Sequence, residues 1–110
     1  MELAIREKNN VKIMDLKGEV DLYSSPAIRK EFDGLIKKKE RAILINLEKV
    51  SYIDSSGLAT FIEAMQKISK YKGKLRLTGL RQSIKNVFEV ARLDGVFSIF
   101  DNEAGALKSF

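Results

Sequence analysis

At 110 residues the chain is long enough to bury one hydrophobic core, so we expect a single domain over residues 1–110. Its 45% hydrophobic and 32% charged residues are typical of a folded chain rather than a disordered one. The sequence has no cysteine and no histidine, which excludes a disulfide framework, thiolate chemistry and the commonest general base and zinc ligand. It shows no signal peptide and no apolar run near the ~20 residues of a membrane helix, so we expect a cytoplasmic protein without membrane insertion.

The first third of the chain predicts a hairpin followed by a helix. The hairpin consists of two alternating apolar runs, ELAIRE and VKIMDL, joined at Asn9–Asn10, a pair that tolerates positive φ. The helix begins within GEVDLYSSPAIRKEFDGLIKKK, with Ser25 as its N-cap and Pro26 as its first residue. Four apolar residues recur on one helical face: Ile28, Phe32, Leu35 and Ile36.

The middle of the chain predicts a buried strand and a second helix. The strand is AILINL, residues 42–47, which is nearly all apolar and therefore belongs at the centre of a sheet covered on both faces. The helix is predicted to close at Gly73 in the left-handed conformation. Its apolar face has a helical spacing: Leu58, Phe61, Ile62, Met65 and Ile68.

The last third predicts two further strands, KLRLT and VFSIF, and two further helices. The third helix, marked by Ile84, Val87, Phe88 and Ala91, is predicted to end at Asp94–Gly95. Asp101 is predicted to cap a terminal helix that carries Ala104, Leu107 and Phe110. The complete order, β-β-α-β-α-β-α-β-α, predicts an α/β fold: a mixed, largely parallel sheet of about four to five strands with helices packed on it.

The segment IDSSGL, residues 53–58, opens the second helix and is the most distinctive polar feature of the chain. The first amides of a helix lack intrahelical partners, and the helix dipole favours a hydroxyl, a carboxylate or a phosphate there. Asp54 or Ser55 could cap this helix, and Gly57 lets another chain approach the backbone closely. On local chemistry alone, a structural cap and a functional hydroxyl both stay open.

Catalysis is not expected. Ser55 and Ser56 lack the first glycine of a nucleophile elbow and a histidine to take the proton, and no Gly-rich run ends in Lys-Ser or Lys-Thr. The carboxylates of Asp15, Glu19 and Asp21 are expected in a solvated strand-to-helix segment. The sequence therefore predicts neither an enzyme nor a bound metal or cofactor.

Basic residues give the chain a net charge of +5, and their densest cluster is Lys37, Lys38, Lys39 and Arg41. At the end of a helix, cations satisfy the last carbonyls and favour the dipole, so a solvated C-terminal turn is one interpretation. The other is a patch that binds phosphate or acidic groups. Because no tyrosine is interleaved with the cluster, direct nucleic-acid binding is not expected.

Four stretches together resemble a STAS domain, in particular the stand-alone bacterial anti-sigma factor antagonists. They are GEVDLYSSP, AILINLEKVSYIDSSGLATFIEA, GKLRLTGL and VFEVARLDGVFSIFDNEAGAL. The similarity covers residues 2 to 108, and YIDSSGL is its most specific part. The resemblance implies the STAS fold for the whole chain.

The resemblance also implies a regulatory switch. In this family the serine directly after the loop aspartate, here Ser55, is phosphorylated by an anti-sigma factor that is also a serine kinase, and a phosphatase reverses the mark. The unphosphorylated form binds the anti-sigma factor and frees the sigma factor. Carried over by position, the docking surface comprises Asp54, Ser56, Gly57 and Leu58, while Asp21 matches an acidic position near the serine.

The chain departs from the family in charge, since many antagonists are expected to be acidic and this one has a sequence pI near 9.5. Two alternatives remain beside the antagonist. STAS domains also occur as small subunits that bind the ATPase of a lipid-transporting membrane complex, and some members have been proposed to bind nucleotides. The absence of a phosphate loop argues against the second alternative.

Overall fold

Five strands and four helices make up the computed structural model, which describes residues 1–110. The strands are β1 (Glu2–Lys8), β2 (Val11–Val20), β3 (Ala42–Ile53), β4 (Lys74–Thr78) and β5 (Ser98–Phe100). The helices are α1 (Ser25–Lys37), α2 (Ser55–Lys70), α3 (Gln82–Val90) and α4 (Glu103–Lys108). This order confirms the predicted β-β-α-β-α-β-α-β-α arrangement.

The five strands form one mixed sheet in the order β1-β2-β3-β4-β5. β1 pairs with β2 antiparallel, while β2, β3, β4 and β5 pair in parallel. The hairpin turn lies where it was predicted, because Asn9 and Asn10 adopt φ of 53° and 65°. The predicted central strand is also confirmed, since β3 lies between β2 and β4. Four apolar side chains of this strand are buried, with half-buried Asn46 among them: Ile43, Leu44, Ile45 and Leu47.

The two faces of the sheet are covered unequally. A core of 21 buried residues joins one face to α1, α2 and α3, and the rings of Phe32 and Phe61 meet there edge to face at 6.2 Å. On the other face, Ala106 of α4 packs with Val11, Ile13 and Leu44 in a cluster of four buried residues. None of the four helices combines the length and the apolar character that crossing a membrane requires.

Two inner strands, β2 and β3, run further than the sequence predicted. β3 continues from Leu47 to Ile53 although Glu48 and Lys49 are polar, because Val50 and Ile53 are buried and keep the strand on the core. β2 likewise continues to Val20, so Asp15 and Glu19 lie within a strand and not in a strand-to-helix segment. Hydrogen bonding to a long neighbour stabilises strand residues whose side chains alone do not indicate a strand.

The predicted start of α1 and the predicted close of α2 are each wrong by one residue. α1 begins at Ser25 with Ser24 in the N-cap position and Pro26 second in the helix, and Ser25 Oγ donates to Asp21 O at 2.6 Å instead of capping. After α2 the left-handed residue is Lys72, with φ of 65°, and not Gly73. Gly73 is needed for space, because a Cβ there would lie 2.6 Å from Ile68 Cγ2.

Two predictions near the C-terminus are also corrected. α3 ends at Val90, with Arg92 left-handed at φ of 60°, several residues before Asp94–Gly95. The N-cap of α4 is Asn102 rather than Asp101, because the Asn102 side chain accepts from Gly105 N at 2.8 Å. The buried residue of α4 is Ala106, whereas Ala104 and Phe110 are exposed and Leu107 is half-buried.

Candidate partner-binding site

The site lies where β2 and β3 end at the same edge of the sheet. Val20 and Ile53 are paired at the ends of these two parallel strands. The backbone N–H of Asp54 donates to the carbonyl oxygen of Val20 at 3.1 Å, so the loop after β2 and the start of α2 are held side by side. The structure therefore brings the Asp21 stretch and the IDSSGL stretch together, although they are far apart in the sequence.

Asp54 is the N-cap of α2. Its backbone is extended, and its Oδ1 atom accepts a hydrogen bond from the Gly57 backbone N–H at 3.0 Å. Its carbonyl oxygen accepts from Leu58 N, also at 3.0 Å. Of the two capping residues that the sequence left open, the structure selects Asp54, which satisfies an amide that would otherwise lack a partner.

Ser55 is the first residue of α2, and its side chain is exposed. Because Asp54 provides the capping oxygen, the Ser55 hydroxyl takes no part in the cap. The first turn of α2 contains no acidic residue, so the Asp54 carboxylate is the one side-chain anion that meets the positive end of the helix dipole. A substituent on the Ser55 hydroxyl would thus reach solvent without breaking the bonds that start the helix.

The next three residues are half-buried or buried. Ser56 is half-buried and its carbonyl oxygen accepts from Thr60 Oγ1 at 2.9 Å. Gly57 is buried, and a Cβ added there would lie 2.6 Å from Val20 Cγ1. Leu58 is only 9% exposed and belongs to the main core. The close approach that Gly57 was expected to allow is made by the chain's own β2.

Asp21 organises the turn between β2 and α1. Its Oδ1 atom accepts hydrogen bonds from the backbone amides of Tyr23 and Ser24, both at 3.0 Å. The Ser24 hydroxyl in turn donates to the carbonyl oxygen of Glu19 at 2.8 Å. The side chain that the resemblance placed near the serine therefore has a structural task, which is to fix the loop beside α2.

Two exposed residues on this surface were missed from the sequence. Leu22 is 64% exposed and Tyr23 89% exposed in the turn that Asp21 fixes. Tyr52 is also exposed, but it points to the other face of the sheet from Ile53, which faces Gly57 of α2. The sequence could have indicated Leu22 and Tyr23, because these large side chains belong neither to the apolar pattern of the strand before them nor to that of the helix after them. Exposed tyrosines of this kind are common anchors in protein interfaces.

The carboxylates of Asp15 and Asp21 do not converge on one site. Asp15 lies in β2 and accepts from Arg6 Nε at 2.6 Å and from Asn46 Nδ2 at 2.9 Å, on the sheet face that α4 partly covers. Arg6 also donates to Glu103 of α4. Hydrogen bonds from Arg6 lower the pKa of both Asp15 and Glu103. These groups form a structural ion-pair network, and Asp21 at the sheet edge is not part of it.

Comparisons with known proteins agree with this architecture. The STAS domain family model matches residues 2–106. The anti-sigma-B factor antagonist of Bacillus subtilis is 27% identical over 104 residues, which make up 94% of each chain. The crystal structure of an anti-sigma factor antagonist from Mycobacterium paratuberculosis has a TM-score of 0.90 at 19% identity, over 98% of this chain and 92% of that one.

The Bacillus cell fate determinant SpoIIAA, solved in its phosphorylated form, has a TM-score of 0.76 at 20% identity, over 99% of this chain and 100% of that one. The family match covers all five strands and the start of α4. It confirms the family that the four sequence stretches resemble. The chain therefore belongs to the STAS domain family.

Proposed function

We propose that this protein is an anti-sigma factor antagonist controlled by phosphorylation of Ser55. Its unphosphorylated form binds an anti-sigma factor that is also a serine kinase and so releases a sigma factor, and a phosphoserine phosphatase restores this form. One observation carries the proposal: Asp54 caps α2, which leaves the Ser55 hydroxyl exposed at the start of the helix. The name of the Bacillus subtilis relative and the phosphorylated state of SpoIIAA support it.

The fold is suited to carry a phosphate at Ser55. Phosphorylation adds a charge of about −1.5 to −2 and three acceptor oxygens. At the first position of α2 this charge meets the positive end of the helix dipole and free backbone amides. The Asp54 cap and the bond from Asp54 N to Val20 O involve none of the Ser55 side-chain atoms. The modification is therefore expected to leave the protein folded.

Binding is the property that phosphorylation should change. The surface around Ser55 already carries the carboxylates of Asp54 and Asp21, beside the exposed side chains of Leu22 and Tyr23. A partner that covers these apolar groups would have to strip water from the phosphate and place it against existing negative charge. A loss of about 3 kcal/mol weakens binding more than a hundredfold. That is enough for a switch.

The chain acts as the substrate of the phosphoryl transfer and not as its catalyst. The bond from the γ-phosphorus to Ser55 Oγ forms as the bond to the ADP oxygen breaks, and the hydroxyl proton passes to a base of the kinase. Such transfers depend on positioning and electrostatic stabilisation, which the kinase supplies together with the nucleotide and its Mg²⁺. An exposed hydroxyl at a rigid helix start is what this chain contributes.

Phosphopeptide analysis of the protein purified from its native cells tests the proposal. Phosphate is expected on Ser55 and should be lost in Ser55→Ala. Ser83→Ala is the matched control, because Ser83 is also an exposed serine in the first turn of a helix. Persistent absence of phosphate from Ser55 across growth and stress conditions would contradict the switch.

A pull-down with the same variants separates the antagonist from the alternatives. In a phosphorylation switch, Ser55→Ala cannot be phosphorylated and stays in the binding-competent form, so it captures more of a serine kinase than the wild type does. In a STAS subunit of a lipid transporter it would change little, and the captured partner would be the transporter ATPase. In an enzyme that uses this hydroxyl, Ser55→Ala would abolish turnover. Capture of a transporter ATPase would overturn the proposal.

A further inference from the structure

Seven exposed cationic side chains gather at the end of the molecule away from Ser55. We call this surface the basic end, and it comprises Lys37, Lys38, Lys39, Arg41, Lys70, Lys72 and Lys74. None of the seven takes part in an ion pair, whereas Arg6, Lys12 and Lys67 do. The cluster at the end of α1, noted from the sequence, thus supplies four of the seven cations of a larger surface.

The parallel packing of α1 and α2 creates the basic end. Arg29 of α1 pairs with Glu63 of α2 at 2.9 Å, and one turn later Asp33 of α1 pairs with Lys67 of α2 at 3.8 Å. The two helices therefore run side by side in the same direction. Their carboxyl ends, each followed by lysines, lie next to one another.

The loops after α1 and α2 are also joined directly. The Tyr71 hydroxyl donates to the carbonyl oxygen of Glu40 at 2.7 Å. The backbone N–H of Lys74 donates to the carbonyl oxygen of Arg41, also at 2.7 Å, where β3 and β4 begin side by side. These bonds hold the two groups of cations together as one surface.

The positive charge of the basic end exceeds what the local structure needs. Each helix carboxyl end carries roughly half a negative charge, so α1 and α2 together account for about one of the cations. Glu40, the acidic residue between them in the loop after α1, accounts for one more. Most of the seven positive charges are left to face solvent.

The composition of this surface favours a diffuse anionic partner. Six of the seven cations are lysines, which act as point charges without the bidentate geometry of arginine. The only aromatic residue of the two loops, Tyr71, is half-buried and its hydroxyl is already bound, so no ring is free to stack on a base. Helix amino ends, which hold single phosphates, lie at the other end of α1 and α2.

From this arrangement we infer that the basic end binds the surface of anionic lipid membranes by electrostatic attraction, without insertion. Clusters of four to eight lysines and arginines beside a membrane helix or on an amphipathic helix bind such surfaces, and each residue near the lipid strengthens binding severalfold; the number of cations in the basic end falls in this range. The 16 residues of α2 separate the basic end from Ser55 by about 24 Å, several times the Debye length. A protein bound this way would present Ser55 away from the lipid, and the inference does not depend on phosphorylation.

Vesicle co-sedimentation at about 0.15 M salt tests this inference. The full chain is mixed with vesicles of phosphatidylglycerol and phosphatidylcholine, or of phosphatidylcholine alone. The basic-end variant carries Lys38→Gln, Lys39→Gln and Lys72→Gln. The control variant carries Lys30→Gln, Lys49→Gln and Arg81→Gln, three exposed cations outside the basic end and outside ion pairs. Both variants remove three charges from a chain of net charge +5, and circular dichroism checks that both are folded.

We expect the wild type to sediment with phosphatidylglycerol vesicles and not with phosphatidylcholine alone. The basic-end variant should lose at least about tenfold in partitioning, and the control variant less than about threefold. No sedimentation of the wild type, or equal losses in the two variants, would overturn the inference. Tighter binding to a DNA duplex or to RNA than to the vesicles, lost in the same variant, would also overturn it and assign the surface to nucleic acid.

Discussion

Asp54 and Val20 are joined by a backbone hydrogen bond of 3.1 Å that links the start of α2 to the end of β2. Through this bond the turn fixed by Asp21 and the helix that carries Ser55 form one rigid surface. Backbone atoms alone make this link, so modification of the Ser55 side chain need not disturb it. The proposed switch is therefore a change of surface charge on a scaffold that stays in place.

Replacement of Gly57 tests how closely β2 and α2 pack. In Gly57→Ala the added methyl would lie 2.6 Å from Val20 Cγ1 and 2.8 Å from Val20 O, so strand and helix must move apart. We expect the free energy of unfolding to fall by about 1–3 kcal/mol, measured by urea denaturation. Gly34→Ala is the control, because Gly34 is exposed within α1 and no atom lies within 4 Å of its added methyl. The free energy of unfolding of Gly34→Ala should rise by about 0.5–1 kcal/mol. An equal change in both variants would contradict the close packing of β2 against α2.

The cap of α2 can be tested separately from charge. Asp54→Ala removes the oxygen that accepts from Gly57 N and should lower the free energy of unfolding by about 1 kcal/mol. Asp54→Asn keeps an acceptor of the same shape, so its free energy of unfolding should fall much less. Thermal unfolding followed by circular dichroism would show the difference. If the Asp54→Ala and Asp54→Asn proteins are equally stable, Asp54 does not act as the cap.

The Arg6 network predicts sensitivity to acid. Because hydrogen bonds from Arg6 lower the pKa of Asp15 from its ordinary value of 3.8, the ionised carboxylate stabilises the fold at neutral pH. This contribution is lost as the pH falls through and below that value. Asp15→Asn should cost up to about 1 kcal/mol at pH 7, since the pair is partly exposed, and the difference from wild type should shrink towards pH 3.

Urea denaturation of wild type and Asp15→Asn across this pH range measures the effect. Glu31→Gln removes an exposed acidic residue that forms no ion pair and serves as the control. A stability difference for Asp15→Asn that stays constant from pH 7 to pH 3 would show that the ion pair with Arg6 does not cause it.

Tyr23 is expected to contribute to partner binding and not to stability. Its side chain is 89% exposed, so Tyr23→Ala should change the free energy of unfolding by less than about 0.5 kcal/mol. If the partner covers it, the same change should weaken binding by at least about 1 kcal/mol, or roughly fivefold. Val90→Ala provides the control, because Val90 is 86% exposed on α3. Calorimetric titration of the captured partner would decide, and equal affinities of the two variants would remove Tyr23 from the interface.

The element order followed from the sequence because apolar periodicity reports burial directly. AILINL predicted the central strand, and the helical spacing from Leu58 to Ile68 predicted α2. The far end of β3 was missed because Glu48 and Lys49 interrupt the apolar pattern, while pairing with β2 keeps the strand intact. Periodicity describes side chains, whereas strand ends also depend on the neighbouring backbone.

Helix ends and the binding surface were harder to predict for a related reason. Gly73 was assigned the left-handed position, but steric contact with Ile68 explains that glycine and Lys72 takes the unusual φ. Asp21 was placed near the serine by resemblance alone, and only the pairing of Val20 with Ile53 shows how it arrives there. Both outcomes depend on three-dimensional contacts that leave no local pattern in the sequence.

The proposed control by phosphorylation is tested by the affinity of two forms of this protein for the serine-kinase anti-sigma factor that we propose as its partner. The unphosphorylated protein and the protein carrying phosphate on Ser55 would be titrated into that factor by calorimetry, after circular dichroism has shown that both are folded. We expect phosphorylation to raise Kd by at least about a hundredfold. Equal affinities of the two folded forms would contradict it.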